Sequence, residues 1–368
     1  MTTTARHLLI VGASGVIGSS ALEHFGRLPG WTVTALSRRR PVVSPDIVFT
    51  HAAVDLADAN ACSQAVAAMP QVTHLLYAAV KEAPGLVSGW SDDDLIAENG
   101  RMFEHILDPL AASGHLAHLV LLQGTKAYGA HRHAVNVPPR EDQPRDDHAN
   151  FYWLHEDHAR MRGAQSGFAF TIFRPQVLMG SAPGVAMNPV LALAAYAALC
   201  RETGRAFAFP GAENALMEVT DSALLAEATA WAFDDHRARD QIFNVTNGDI
   251  FVPYHAWDMI AAHVGLPNGG LASHDFATFF DDPGMVAAWR DLARRHDLLI
   301  DDLPSFLGES HHYADLLLGS RLSEKRVPVL LSSIKVRKAG FHSCRDSLEG
   351  LLYWMDRMVA LKLVPPLG

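Results

Sequence analysis

The sequence predicts an α/β fold, with a parallel, doubly wound sheet over about residues 1–180 and a mainly helical region over 181–368. Three observations carry this expectation. Short apolar runs alternate with helix-length patterns through the first half, a glycine-rich loop separates the first run from the first helix, and an Ala-rich apolar stretch opens a second half of helical spacing. Alternation of strands with helices is what a parallel sheet with crossover helices requires.

Taken in order, His7 to Val11 reads as a buried strand and Val16 to Leu28 as the helix that follows it. Trp31 to Leu36 and Ile47 to Val54 are the second and third strands. His74 to Ala79 and His118 to Gln123 are two more, with a helix from Leu95 to Ser113 between them that Gly114 ends. Tyr128 to Asn150, rich in Pro, Arg, Asp and His, is a long loop, and loops of that length inside a domain are usually functional or mobile. A helix resumes at Tyr152 to Gln165, and Phe168 to Phe173 is a sixth strand. Ile242 to Val245 is a late strand returning to the sheet. An apolar helix from Val190 to Glu202 and the segments after Phe251 form a helical, substrate-binding cap.

Bulk properties bound the function. With 368 residues, 49% of them hydrophobic and 19% charged, the chain can bury a large core. Its longest apolar run, Pro189 to Cys200, is too short to span a bilayer, and no signal-peptide pattern opens it, so a cytoplasmic protein is expected. The three cysteines, Cys62, Cys200 and Cys344, are widely spaced and expected to be free thiols. A net charge of −10 argues against nucleic-acid or anionic-membrane partners. The twenty histidines include His131-Arg132-His133 and His311-His312 but no HExxH and no Cys/His ligand set, so no metal site is expected.

Leu8-Leu9-Ile10-Val11 runs straight into Gly12-Ala13-Ser14-Gly15-Val16-Ile17-Gly18, a G-x-x-G-x-x-G loop between strand and helix. The first glycine permits the tight turn, the second lets the backbone approach a pyrophosphate, and the third lets helix pack closely on strand. The expectation is a Rossmann-type dinucleotide site made by Gly12, Ser14, Gly15, Val16, Ile17 and Gly18. At the end of the second strand Leu36-Ser37-Arg38-Arg39-Arg40 carries no acidic residue to grip a ribose 2′-hydroxyl. Ser37, Arg38 and Arg39 instead suit a 2′-phosphate, which favours NADP over NAD. Asp55 and Leu56 follow the third strand, where Asp55 either accepts from the adenine amine or caps a helix starting near Ala57. Ala78 and Ala79, ending the fourth strand, are small enough to let the cofactor ribose lie across the sheet edge.

Short-chain reductases commonly carry Tyr-x-x-x-Lys on one helix. Here the residue four after Tyr152 is Glu156, and no tyrosine has the lysine at that spacing. Lys126, in Gly124-Thr125-Lys126-Ala127-Tyr128 beyond the fifth strand, stands where a doubly wound sheet binds its ligand. On spacing alone it reads more readily as a surface lysine than as a catalytic one.

Together with Asn150-Phe151-Tyr152-Trp153, Glu156-Asp157, Arg174-Pro175, Phe209-Pro210-Gly211 and Asn244 to Asp249, these motifs resemble the progesterone 5β-reductase/iridoid synthase-like family of atypical extended short-chain dehydrogenases/reductases. The tail Trp354 to Met358 with Lys362 to Pro365 fits as well, so the resemblance spans nearly the whole chain. It implies Lys126 and Tyr152 as the catalytic pair, Val177 beside the nicotinamide, and NADPH-dependent 1,4-reduction of an enone or enal with Tyr152 stabilising the enolate. It also suggests a homodimer. Val80 departs from the family's tryptophan after the fourth strand, which implies a different pocket. Two other readings remain: a carbonyl (C=O) reductase using the same tyrosine and cofactor, and a non-catalytic NADP-binding sensor.

Overall fold

A computed structural model describes residues 6–83, 85–319 and 328–368. Seven strands form one parallel sheet: β1 (Arg6–Val11), β2 (Trp31–Leu36), β3 (Thr50–Ala52), β4 (His74–Tyr77), β5 (His118–Leu122), β6 (Ala169–Pro175) and β7 (Gln241–Val245). Their spatial order is β7-β6-β5-β4-β1-β2-β3, and every pair is parallel. The winding reverses between β1 and β4, the switch point outside whose strand ends such sheets bind ligands.

The central strands are apolar without alternation because both faces are covered. Leu9, Val11, Leu75, Tyr77, Leu119 and Leu121 point to one face, where they meet α2 (Ala59–Ala67), α3 (Asp93–Ala112) and α4 (Phe151–Ser166) through Cys62, Phe103, Ile106 and Ala159. Leu8, Ile10, Leu76 and Val120, alternating with these along the strands, serve the opposite face. There α1 (Val16–Phe25) packs against α6 (Ser222–Asp234), joined by a buried 2.7 Å hydrogen bond between the Ser20 and Ser222 hydroxyls. Helix α5 (Pro189–Thr203) lies between α4 and α6 in sequence.

Four elements are shorter than their patterns predict: β4 ends at Tyr77 rather than Ala79, β5 at Leu122 rather than Gln123, and α1 and β3 are shortened as follows. Helix α1 stops at Phe25 rather than Leu28: Gly26 N still donates to the Leu22 carbonyl, but Arg27 N and Leu28 N reach back only three residues, to His24 and Phe25. Ile47 is buried against Gly26, where a Cβ would stand 2.6 Å from its side chain, and lies outside the strand, while Val48, 82% exposed, has no sheet face to join. Only Thr50–Ala52 pairs with β2.

The chain divides into two compact units. The first comprises Met1–Gln176, Ser222–Val245 and Leu331–Ser343, so α6 and a segment near residue 335 accompany β7. Lys335 Nζ donates to the Ile242 carbonyl at 2.9 Å. The second comprises Val177–Asp221, Thr246–Leu330 and Cys344–Gly368. Its centre is α5, whose residues Val190–Cys200 are all buried, as a helix apolar on every side must be. The helices Pro283–His296, Ser310–Leu318 and Ser347–Ala360 pack around α5. Met179, Leu193, Phe209, Trp257 and Leu351 help line an apolar cavity of about 60 Å³ inside this unit.

Candidate active site

The glycine loop has the geometry that a pyrophosphate site needs. Gly12 has φ 82°, a conformation open to glycine, and its amide donates to the Leu36 carbonyl at 2.9 Å. A Cβ there would stand 2.6 Å from Ala79 N and 2.7 Å from the Ala78 carbonyl, so Gly12 also lets the ends of β1 and β4 approach. Ala78 and Ala79 thus abut the loop at the switch point. At Gly18 a Cβ would collide with the Gly12 oxygen and stand 2.6 Å from Ala13 Cα, which makes this glycine the one that brings α1 onto β1. Gly15, the N-cap of α1, would bring a Cβ within 4 Å of the Gly12 oxygen alone among the atoms around it. The helix N-terminus, with Val16, Ile17 and the half-buried Ser14, therefore presents backbone that an anion can approach, and these residues fit a dinucleotide.

Arg38, Arg39 and Arg40 are exposed beyond β2. Arg40 stacks on Phe49 with its guanidinium carbon 4.8 Å from the ring centre. The buried Ser37 hydroxyl donates to the Arg39 carbonyl at 2.7 Å and lies 3.3 Å from His51 Nε2, so it shapes the arginine turn. Asp55 is exposed and does not cap a helix: its Oδ1 accepts from Ala57 N at 3.1 Å, whereas Asp58 caps α2 by accepting from Ala61 N. The reason is that α2 begins at Ala59, one short turn later than the sequence pattern suggests. Leu56 is buried, and its carbonyl meets His105 Nδ1 at 2.8 Å.

Tyr152 lies in the first turn of α4, where Asn150 caps by accepting from Tyr152 N at 3.0 Å. Its hydroxyl oxygen is 3.2 Å from where a Cβ on Gly124 would be, at the carboxyl end of β5. Lys126 lies two residues further on, in a 3-10 turn from Thr125 to Tyr128. The two segments are joined by Asn150, whose Nδ2 reaches the Lys126 carbonyl at 3.5 Å.

The Lys126 ammonium is buried over the Trp90 ring, 4.2 Å from its centre, and 3.6 Å from the Glu82 carboxylate. Glu82 also accepts from Trp90 Nε1 at 3.1 Å. Burial pushes the lysine below its ordinary value, and Glu82 works against that shift. Neither Glu82 nor Trp90 was singled out from the sequence. The available signal was Glu82's position just past the end of β4.

Glu156, four residues after Tyr152, does not leave an unbalanced charge beside the phenol. Its carboxylate accepts from Arg160 at 2.9 and 3.0 Å and from Gln123 Nε2 at 3.2 Å, and Arg145 is 3.2 Å away. Burial opposes its ionisation, yet Arg160, Arg145 and Gln123 hold it below the usual carboxylate range. Gln123 in turn accepts from Arg174 Nε at 2.8 Å, and Arg174 lies over the Tyr128 ring. This buried network ties β5, β6 and α4 together beneath Tyr152. Tyr128 itself donates to Asn244 Oδ1 at 2.7 Å on β7.

The expected loop after Tyr128 is free of helix and strand but anchored along its length. Pro139 accepts from Asn244 Nδ2 and Ser332 N, and Glu141 Oε1 accepts from Asn244 N at 2.7 Å. Val177, two residues past β6, opens the second unit with φ 38°, a strained value for a β-branched residue. Its carbonyl accepts from Thr220 N, beside the short pairing of Leu178–Met179 with Thr220–Asp221. Val80 is 42% exposed. Cys62, Cys200 and Cys344 are free.

Among the described residues no helix is long and apolar enough to cross a membrane. The model of the NAD dependent epimerase/dehydratase family matches residues 8–246. Among curated relatives, (S)-8-oxocitronellyl enol synthase of Nepeta cataria is 29% identical over 97% of this chain and 92% of its own length. The 3-oxo-Delta(4,5)-steroid 5-beta-reductase of Arabidopsis thaliana is 28% identical, again over 97% and 92%. The solved UDP-glucose 4-epimerase of Thermus thermophilus, a complex with NAD, has a TM-score of 0.63 at 18% identity, over 95% of this chain and 98% of that one, a likeness that shows the fold. With the glycine cradle and the tyrosine helix in place, this chain is an oxidoreductase of the short-chain dehydrogenase/reductase superfamily that belongs to the NAD dependent epimerase/dehydratase family and is similar over nearly its whole length to the iridoid synthase and steroid 5β-reductase relatives.

Proposed function

We propose that this protein is an NADPH-dependent ene-reductase that reduces the C=C bond of an α,β-unsaturated carbonyl. The observation that carries the reading is the Tyr152 hydroxyl set over Gly124 at the carboxyl end of β5, with the Lys126 turn tied to the same helix start. The relatives' names support it: one reduces a 3-oxo-Δ4,5 steroid at the 5β position, and another makes an enol.

A nicotinamide dinucleotide, once held at this sheet end, would supply the hydride that the β-carbon of the conjugated system accepts. Tyr152 donates to the carbonyl oxygen and stabilises the negative charge that develops there as the enolate forms, the largest kind of term in such catalysis, and the α-carbon of the enolate then takes a proton from solvent to give the saturated carbonyl. Lys126 orients the ribose and adds positive charge in a buried setting, where charge acts over less screening. Gly12, Ser14, Gly15, Val16, Ile17 and Gly18 hold the pyrophosphate, with Ala78 and Ala79 under the ribose. Arg38 and Arg39 grip the 2′-phosphate, assisted by the turn that Ser37 shapes. Asp55 and Leu56 border the adenine, and the strained Val177 borders the nicotinamide.

The test is NADPH consumption with a panel of small enones and enals, with NADH, Tyr152→Phe and Lys126→Ala run alongside and products identified by mass. Saturated carbonyl products, with a loss of about 100-fold in kcat for Tyr152→Phe, are expected. Alcohol products would replace this reading with direct C=O reduction, and tight NADPH binding without turnover would favour a sensor.

A further inference from the structure

We infer that Asp146 and His148 are positioning residues: they hold Asn150 in the single orientation that fastens the start of α4 to the Lys126 turn. The inference rests on the catalytic roles proposed above for Tyr152 and Lys126.

The cap shows which way the Asn150 amide faces. Oδ1 accepts from Tyr152 N at 3.0 Å, so the NH2 group must face the other way. There it meets His148 Nε2 at 3.1 Å and the Lys126 carbonyl at 3.5 Å. A donor facing His148 Nε2 requires a lone pair on that nitrogen. The proton of the neutral ring therefore sits on Nδ1, which donates to Asp146 Oδ1 at 2.7 Å. Asp146 thus selects the tautomer, and the tautomer selects the amide orientation. The loop of residues 129–150 acquires a specific task from this chain of bonds.

The surroundings favour the same state. The His148 side chain is 1% exposed. Trp153, from α4, donates through Nε1 to the His148 carbonyl at 3.1 Å. His133 Nε2 engages the second Asp146 oxygen at 2.7 Å, and although burial opposes ionisation, His133 and His148 hold that carboxylate below its ordinary value. The His131 ring packs 5.0 Å from His148, and burial, with His148 and Lys126 nearby, pushes it down to about 4, so it adds no competing charge. Arg145, next in sequence to Asp146, is directed to Asp157 at 2.6 Å.

The experiment compares wild type, His148→Phe, His148→Gln and Tyr152→Phe, measuring kcat and NADPH affinity at one pH near neutrality. His148→Phe fills the space without an acceptor and is expected to lower kcat about tenfold, as a small misplacement of a reacting group does. NADPH affinity stays unchanged. His148→Gln offers an oxygen near the Nε2 position, so it recovers most of kcat. Amide exchange at Tyr152 N reads the fastening directly, being faster in His148→Phe and near wild type in His148→Gln. Wild-type kcat and exchange in His148→Phe, or an equal defect in His148→Gln, would overturn the inference. Full turnover in Tyr152→Phe with the predicted exchange pattern would instead overturn the catalytic reading and leave the fastening intact.

Discussion

The Tyr152 hydroxyl oxygen stands 3.2 Å from the point where a Cβ on Gly124 would lie. The phenol therefore reaches the end of β5 because residue 124 has no side chain. A methyl group there must displace the hydroxyl by a few tenths of an ångström. Gly124→Ala should lower kcat roughly three- to tenfold while leaving NADPH affinity unchanged, since misplacement acts on the reacting geometry. Gly124→Val should be worse. Steady-state kinetics with a cofactor titration by fluorescence checks this.

Gly12 and Gly18 make a different prediction. Gly12→Ala meets both a positive φ and the Ala78–Ala79 backbone, and Gly18→Ala drives α1 off Ala13. Both variants should lose NADPH binding at least tenfold and lower the melting temperature, with strain of about 1–3 kcal/mol at Gly12. Calorimetry with and without NADPH would show a reduced cofactor-induced rise.

The arginine turn sets cofactor choice in the proposed function. Arg38→Ala and Arg39→Ala should each raise KM for NADPH about tenfold and leave KM for NADH nearly unchanged, because charge-assisted bonds to a 2′-phosphate are worth about 1.5–3 kcal/mol. Equal effects on both cofactors would refute a 2′-phosphate role.

Buried histidines under the sheet predict acid sensitivity. Burial pushes His74 down to about 4, Arg6 adding to the shift, and His118 down to about 3, His74 and Arg239 adding to it. The unfolded chain binds protons at these sites below the ordinary imidazole value of 6.5, whereas the folded chain does not. Stability is therefore full above about pH 6.5 and is lost as pH falls towards 4. The pair steepens the loss by up to about 2.7 kcal/mol per pH unit. In His118→Leu the Thr171 hydroxyl keeps its bond to the Ala238 carbonyl, and urea unfolding at several pH values should show a slope shallower by one proton.

Thiol reactivity should single out Cys344. Burial raises the Cys62 thiol to about 11, with Asp58 and Asp55 adding, and the Cys200 thiol to about 12, while Cys344 is exposed. An aromatic disulfide reagent should titrate one thiol in the native protein and three in denaturant. Cys344→Ser should abolish the native signal.

Much of the fold was legible in the order of residues because it depends on local patterns. Continuous apolar runs such as Leu8 to Val11 and Leu119 to Leu121 announce strands buried on both faces, and the spacing Gly12, Gly15, Gly18 announces the turn that joins strand to helix. Tyr152 and Lys126 could be nominated only through the resemblance, since they are 26 positions apart and share no helix.

What the sequence determined by itself about this protein was therefore the parallel sheet, the dinucleotide loop and the basic turn after the second strand, each a matter of neighbours along the chain. Tertiary structure decided the rest. It seated Ile47 against Gly26, placed Lys126 between Glu82 and Trp90, balanced Glu156 with Arg145 and Arg160, and set Asn150 between His148 and the two candidate catalytic segments. The physical reason is that burial and charge pairing depend on distance in space, and apart from the short-range bonds within α4 and its cap these contacts join residues that no periodicity brings together.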